Sequence, residues 1–135
     1  MAVEILRMTP LIEVFDMCRS VTFYRDVLGL EVISTSPPRG VDDYDWALLR
    51  HQGAELMLNT AYEHESRPPE PESSRLAGHR DMTFFFGCPD IDAAHEDLAA
   101  KGVSVTPPVV THYGMKQIHF RDPDGYRICL QWQAS

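Results

Sequence analysis

Few residues of this 135-residue chain could do chemistry on a small molecule. The most promising sit in three short runs of alternating character. "AELMLN" carries Glu55, "MKQIHF" carries His119, and "RICLQW" carries Cys129 and Gln131. Glu55 or His119 could act as a general base on a carbonyl substrate. Cys129 could act as a nucleophile only if a cationic neighbour lowered its pKa. No nucleophile–base–orienter set accompanies them. Each also has a plain structural reading: Glu55 as a sheet carboxylate paired with Arg127, Cys129 as a small inert residue, His119 as a strand histidine. Cys18 falls in the first turn of an expected helix, where the dipole favours a thiolate, but packing alone accounts for it. His79, His112 and Tyr113 fall in expected loops at a rim, where "HYGM" could form a lid or clamp.

The elements that must position these groups follow from periodicity. Asp122-Pro123-Asp124-Gly125 has the composition of a tight turn, so "HFRDPDGYRICLQWQ" reads as a β-hairpin. Along its second arm Cys129 and Gln131 face one way, and Ile128, Leu130 and Trp132 the other. "TPLIEVFD" and "TFFFGCPD" read as strands ending in helix-capping aspartates, Asp16 and Asp90. The helices that follow place Val21, Tyr24, Val27 and Leu28 on one stripe, and Ile91, Ala94 and Leu98 on another. Gly29 and Gly102 stand near their C-terminal ends. Further strands are expected at "EVIST", "WALLR", "AELMLN", "VSVTPPV", "MKQIHF" and "RICLQW".

The two halves repeat one order. Thr9 to Asp16 and Thr83 to Asp90 both span 7 residues; Asp16 to Glu55 and Asp90 to Cys129 both span 39. Matching cap, helix and last strand indicate a tandem duplication. The expected fold is α+β: one domain of two βαβββ modules, 1–63 and 79–135, joined by a Pro/Glu/Ser-rich linker over 64–78. Two such modules would form curved mixed sheets around a cleft, with helices on the outer face. A formal net charge of −8 argues against nucleic acid or an anionic membrane as partner. No apolar run reaches membrane-spanning length, and the opening "MAVEILRMTPLIEVF" lacks a secretory pattern. Three cysteines without CxxC spacing suit free thiols, so a cytoplasmic location is expected.

With "FYRDVLGLEV" in the first half and "FRDPDGYRICL" in the second, the chain resembles the vicinal oxygen chelate superfamily. This is the group of glyoxalase I, extradiol dioxygenases and bleomycin-resistance proteins. The resemblance implies metal ligands at the first and last strands of each half, usually His and Glu. Carried over, those positions are Thr9, Glu55, Thr83 and Cys129. Only Glu55 keeps the expected type, and threonine hydroxyls are poor ligands for Zn²⁺, Fe²⁺ or Mn²⁺. Alternation from the four positions assigns Thr9, Leu11, Glu13, Glu55, Met57, Asn59, Thr83, Phe85, Arg127, Cys129 and Gln131 to the cleft. Met115, Gln117 and His119 join them, with Trp46 and Leu48. The expected function is binding of a small-molecule ligand without metal or other cofactor, by a homodimer. The alternatives are a lyase, isomerase or dioxygenase holding a divalent Zn, Fe or Mn ion through Glu55, Cys129 and His119, and a metal-free enzyme with Glu55 or His119 as base.

Overall fold

The computed structural model describes residues 2–135. The chain divides into two compact units, Met1–Pro69 and Glu70–Ser135. Each is a mixed four-stranded sheet with a helix after its first strand, so the fold is α+β and built from two βαβββ units.

In the first unit the strands are β1 (Leu11–Val14), β2 (Glu31–Thr35), β3 (Trp46–His51) and β4 (Ala54–Thr60), in the order β1-β4-β3-β2. β1 runs parallel to β4, and the other pairs are antiparallel. Pro10 has no amide hydrogen, which explains why β1 begins after the expected Thr9. The Pro10 carbonyl still accepts from Met57 N at 2.8 Å. Helix α1 (Met17–Thr22) is capped by the Asp16 side chain, which accepts from Arg19 N at 3.2 Å. It continues as a wide π turn over Phe23–Val27. The exit is closed at Gly29, whose φ of +80° favours glycine. Of the expected stripe, Val21 and Tyr24 are fully buried. The widened turn leaves Val27 and Leu28 half-buried. These side chains and Met17 belong to the core with Ile12, Val14, Ala47, Leu49, Leu56 and Leu58. Alternation therefore sends Leu11, Glu13, Trp46, Leu48, Glu55, Met57 and Asn59 to the opposite, open face.

In the second unit β5 (Thr83–Gly87), β6 (Val109–Val110), β7 (Met115–Arg121) and β8 (Arg127–Gln133) lie in the order β5-β8-β7-β6. Helix α3 (Ile91–Ala100) is capped by Asp90, which accepts from Ala93 N at 3.0 Å. It buries Ile91 and Leu98, with Ala94 half-buried. The expected strand "VSVTPPV" does not form over 103–108, because Pro107 and Pro108 cannot donate to a ladder, and a short strand begins only at its last residue, Val109. Thr106 takes over instead: its N donates to the His119 carbonyl at 3.0 Å, and its hydroxyl accepts from His119 N at 2.9 Å. Trp132, expected in the core, is 46% exposed. The Asp122–Gly125 turn forms as expected, with the Asp122 carboxylate accepting from Asp124 N and Tyr126 N, both at 2.9 Å.

Part of the expected linker is ordered structure. Helix α2 (Ser73–Gly78) and a 3₁₀ turn (His79–Asp81) precede β5. His79, expected in a rim loop, is buried. Its ring stacks on Tyr126 with centroids 3.8 Å apart. Nδ1 donates to the Asp124 carbonyl at 2.6 Å, and Arg75 donates to Nε2 at 3.3 Å. A carbonyl only accepts and a guanidinium only donates, so the tautomer with its proton on Nδ1 matches both contacts. Arg75 also reaches the buried Asp124 carboxylate at 2.8 Å. The cluster pins α2 to the β7–β8 turn.

Candidate functional site

On the open face of the first sheet the register sets cross-strand rows. Leu11, Met57 and Leu48 form an apolar row; Glu13, Asn59 and Trp46 form the next. Asn59 donates to the Glu13 carboxylate at 3.3 Å. Glu55 lies opposite Arg50. Its carboxylate accepts from the Thr9 hydroxyl and from Arg50 Nε at 2.7 Å, with Arg7 3.6 Å away. The cation expected for Glu55 was Arg127; Arg50 fills that role, because it sits in the same cross-strand row. Burial by itself raises a carboxylate pKa. The Thr9 hydroxyl and then the Arg50 guanidinium outweigh desolvation and hold it below the usual carboxylate range. Arg50 was missing from the expected site, although the alternation that selected Trp46 and Leu48 selects it next.

The second sheet presents a different surface. Phe85, Cys129 and His119 form one row, and Gly87, Gln131 and Gln117 the next. Gln117 Nε2 donates to Gln131 Oε1 at 2.9 Å and to the Tyr113 hydroxyl at 3.2 Å. Gln117 Oε1 stands 3.2 Å from His119 Nε2, and Cys129 Sγ is 3.9 Å from the same nitrogen. Met115 is half-buried at the end of β7. Tyr113, expected in a rim loop, is exposed and engaged with this network; the His112 ring meets it edge-on at 5.0 Å. Phe85 is 56% exposed beside the network. Cys129 is fully buried, and burial pushes its thiol pKa up to about 11. Desolvation is the cause, and among the described residues no ion pair or cation contact opposes it, which is the environment of an inert thiol rather than an activated one.

The repeat counted from the capping aspartates does not survive as sheet register. Leu11 pairs with Met57, which carries Thr9 to Glu55. In the second sheet Phe85 pairs with Cys129, and Thr83 with Arg127. Cys129 is therefore two residues away from the position equivalent to Glu55. The carried-over donors are two hydroxyls, a thiol held protonated by burial and a carboxylate already bonded to Thr9 and Arg50. They do not fit a divalent metal. Among the described residues no three His, Cys, Asp or Glu side chains gather as a metal-binding group.

One cavity of about 270 Å³ lies in the first unit, at the start of α1, lined by Phe15, Asp16, Arg39, Tyr62 and Arg67 among others. Its charges largely satisfy one another: Arg39 bonds Asp43 and Asp45, and Arg67 lies over the Phe15 ring and near Asp16. None of the expected cleft residues lines it, but Cys18, exposed at the start of α1, does. No helix among the described residues is long and apolar enough to cross a membrane.

Comparison with known proteins agrees with this architecture. The chain is 29% identical over 120 residues to a lactoylglutathione lyase of Haemophilus influenzae, covering 87% of this chain and 85% of that protein. TnmS3, an antibiotic binding protein from Streptomyces sp. CB03234, superimposes with a TM-score of 0.69 at 24% identity, over 99% of both chains. A glyoxalase/bleomycin resistance protein from the same organism superimposes with a TM-score of 0.66 at 25% identity, over 94% of this chain and 100% of that one. The family model of the Glyoxalase/Bleomycin resistance protein/Dioxygenase superfamily matches residues 7–130, and the chain belongs to that superfamily.

Proposed function

We propose that the chain is a metal-independent small-molecule-binding protein of its superfamily, acting in the cytoplasm as a homodimer. The open face of each sheet offers a ligand surface. The observation that carries this reading is the state of Glu55. The one side chain that keeps the expected ligand type among the four carried-over positions is bonded to Thr9 and Arg50. A carboxylate so engaged already has its charge met by a guanidinium and a hydroxyl, so it needs no metal ion to be satisfied. The mixture of apolar rows with a few polar and charged groups on the open faces is typical of surfaces that bind small organic molecules. The similarity to an antibiotic binding protein supports the same reading.

A second reading is favoured by the similarity to a lactoylglutathione lyase. In it the chain is an enzyme, with His119 as a general base on a carbonyl substrate. Elemental analysis of purified protein, a lactoylglutathione lyase assay and a thermal-shift screen of small organic compounds separate the two. Stabilising ligands without lyase activity and without stoichiometric metal are expected. About one Zn, Fe or Mn per chain, with activity lost on chelation, would overturn the proposal.

A further inference from the structure

The open face of the second sheet carries two arginines that face each other. Arg121 and Arg127 are directly paired in the β7–β8 ladder, both exposed, and Thr83 lies beside Arg127 in register. Like charges directly opposite one another destabilise a sheet. Neither arginine makes an ion pair among the described residues. Arg121 donates only to the Gly125 carbonyl, at 3.3 Å. An anion between the two guanidinium groups relieves the repulsion, and arginine is suited to hold a carboxylate. In a chain of net charge −8, an unneutralised basic pair on an open sheet face is a local exception.

The neighbouring row defines the rest of the ligand. Gln117 Nε2 is engaged by Gln131 Oε1 and Tyr113. Its Oε1 therefore accepts from His119, which places the histidine proton on Nε2. In that tautomer Nδ1 keeps its lone pair and is open to a ligand's donor. Phe85, in the same row as His119, offers an exposed ring for stacking. Residues two apart on a strand are spaced by about 7 Å, so the Arg121–Arg127 row lies about that far from the His119–Phe85 row.

We infer that this face binds a planar hydroxylated aromatic acid, its ring on Phe85, its hydroxyl on His119 Nδ1 and its carboxylate between Arg121 and Arg127. This assignment rests on the ligand-binding reading and narrows its chemistry. The probe is 6-hydroxy-2-naphthoate, compared by equilibrium dialysis against the full chain with 6-methoxy-2-naphthoate, 2-naphthol and the cationic dye proflavine. The hydroxy acid is expected to bind about tenfold more tightly than either neighbour lacking one group, one good hydrogen bond or ion pair each. Arg127→Gln should abolish the preference for the acid over 2-naphthol. His119→Phe should abolish only the preference for hydroxyl over methoxy. Both residues are exposed, and circular dichroism checks each variant's fold. Long-range ¹H–¹⁵N spectra of the imidazole give a readout without mutation: free protein protonated on Nε2, with Nδ1 shifting as the hydroxy acid is added.

A protein protonated on Nδ1, a hydroxy acid bound no better than 2-naphthol, or an Arg127→Gln variant that keeps the preference would each overturn the assignment. Proflavine as the tightest probe would overturn it while leaving the binding reading in place. No binding of the hydroxy acid below about 1 mM would also overturn it, and the thermal-shift screen then decides the binding reading separately.

Discussion

Removing the Asp124 carboxylate should loosen the second unit where α2 meets the β7–β8 turn. Asp124 is 2% exposed, its partner Arg75 has 19% of its side chain exposed, and their charged atoms are 2.8 Å apart. At an effective dielectric constant near 20 the gross attraction is about 6 kcal/mol. Desolvation of both ions offsets much of it, so the intact pair contributes far less net stability. Deleting one partner is a different perturbation, because it strands the other charge in a dry site at a cost of about 3–5 kcal/mol. Arg75 keeps its contact with His79 and some access to water, which places Asp124→Ala near 3 kcal/mol. In a chain of this size that corresponds to a fall in Tm of roughly 10 °C. Urea denaturation of the parent, Asp124→Ala, Arg75→Met and the double variant measures the pair directly. The double variant should be less damaged than the sum of the singles, with a coupling of at least about 1.5 kcal/mol. α2 buries none of its own residues, so limited proteolysis should cut faster ahead of β5 in both single variants. An Asp124→Ala protein within about 0.5 kcal/mol of the parent, or additive single effects, would refute the reasoning.

Glu55 gives a prediction about pH. Its folded pKa is below the ordinary value of 4.5, so its contribution is present above that value and is lost as pH falls through the folded pKa. Glu55→Gln should be less stable than the parent at pH 7, and the gap in urea midpoint should close in acid; a gap that widens toward low pH counts against the Thr9 and Arg50 contacts. Cys129, with a pKa near 11 and no exposed surface, should stay silent to a thiol-specific disulfide reagent at pH 8 until urea is added. A native protein in which all three cysteines react at comparable rates contradicts that. In light scattering the chain should run as a dimer, and a 15.3 kDa particle at micromolar concentration rejects the assembly.

Local signals were enough for most of the elements. Both capping aspartates, the strands from Glu31, Trp46, Ala54, Met115 and Arg127, and the Asp122–Gly125 turn depend on neighbours a few residues away. Period-2 alternation separated the open faces from the cores for the same reason: in a strand, burial of one residue fixes the side of the next. That is why Gln117, His119 and Gln131 come together as the alternation requires. Sequence also showed that Thr9 and Thr83 stand where the resemblance implies imidazoles, which no folding changes.

Register and long-range partnership were decided only in three dimensions. Counting from the caps matched Cys129 with Glu55, but the parallel ladders differ by two residues, and a parallel register is set by side-chain packing along the whole pair rather than by spacing in the chain. The partners of Glu55 are five and 46 residues away, and the sequence reading paired it with Arg127 and passed over Arg50. His79 left its loop because Asp124 and Tyr126, more than 40 residues on, supplied an acceptor and a ring. Arg121 and Arg127 formed no visible cluster in the chain; the hairpin turn placed them face to face. Composition and periodicity determine which residues want to be buried or bent. Which charges meet depends on strand order, and strand order is a property of the packed sheet.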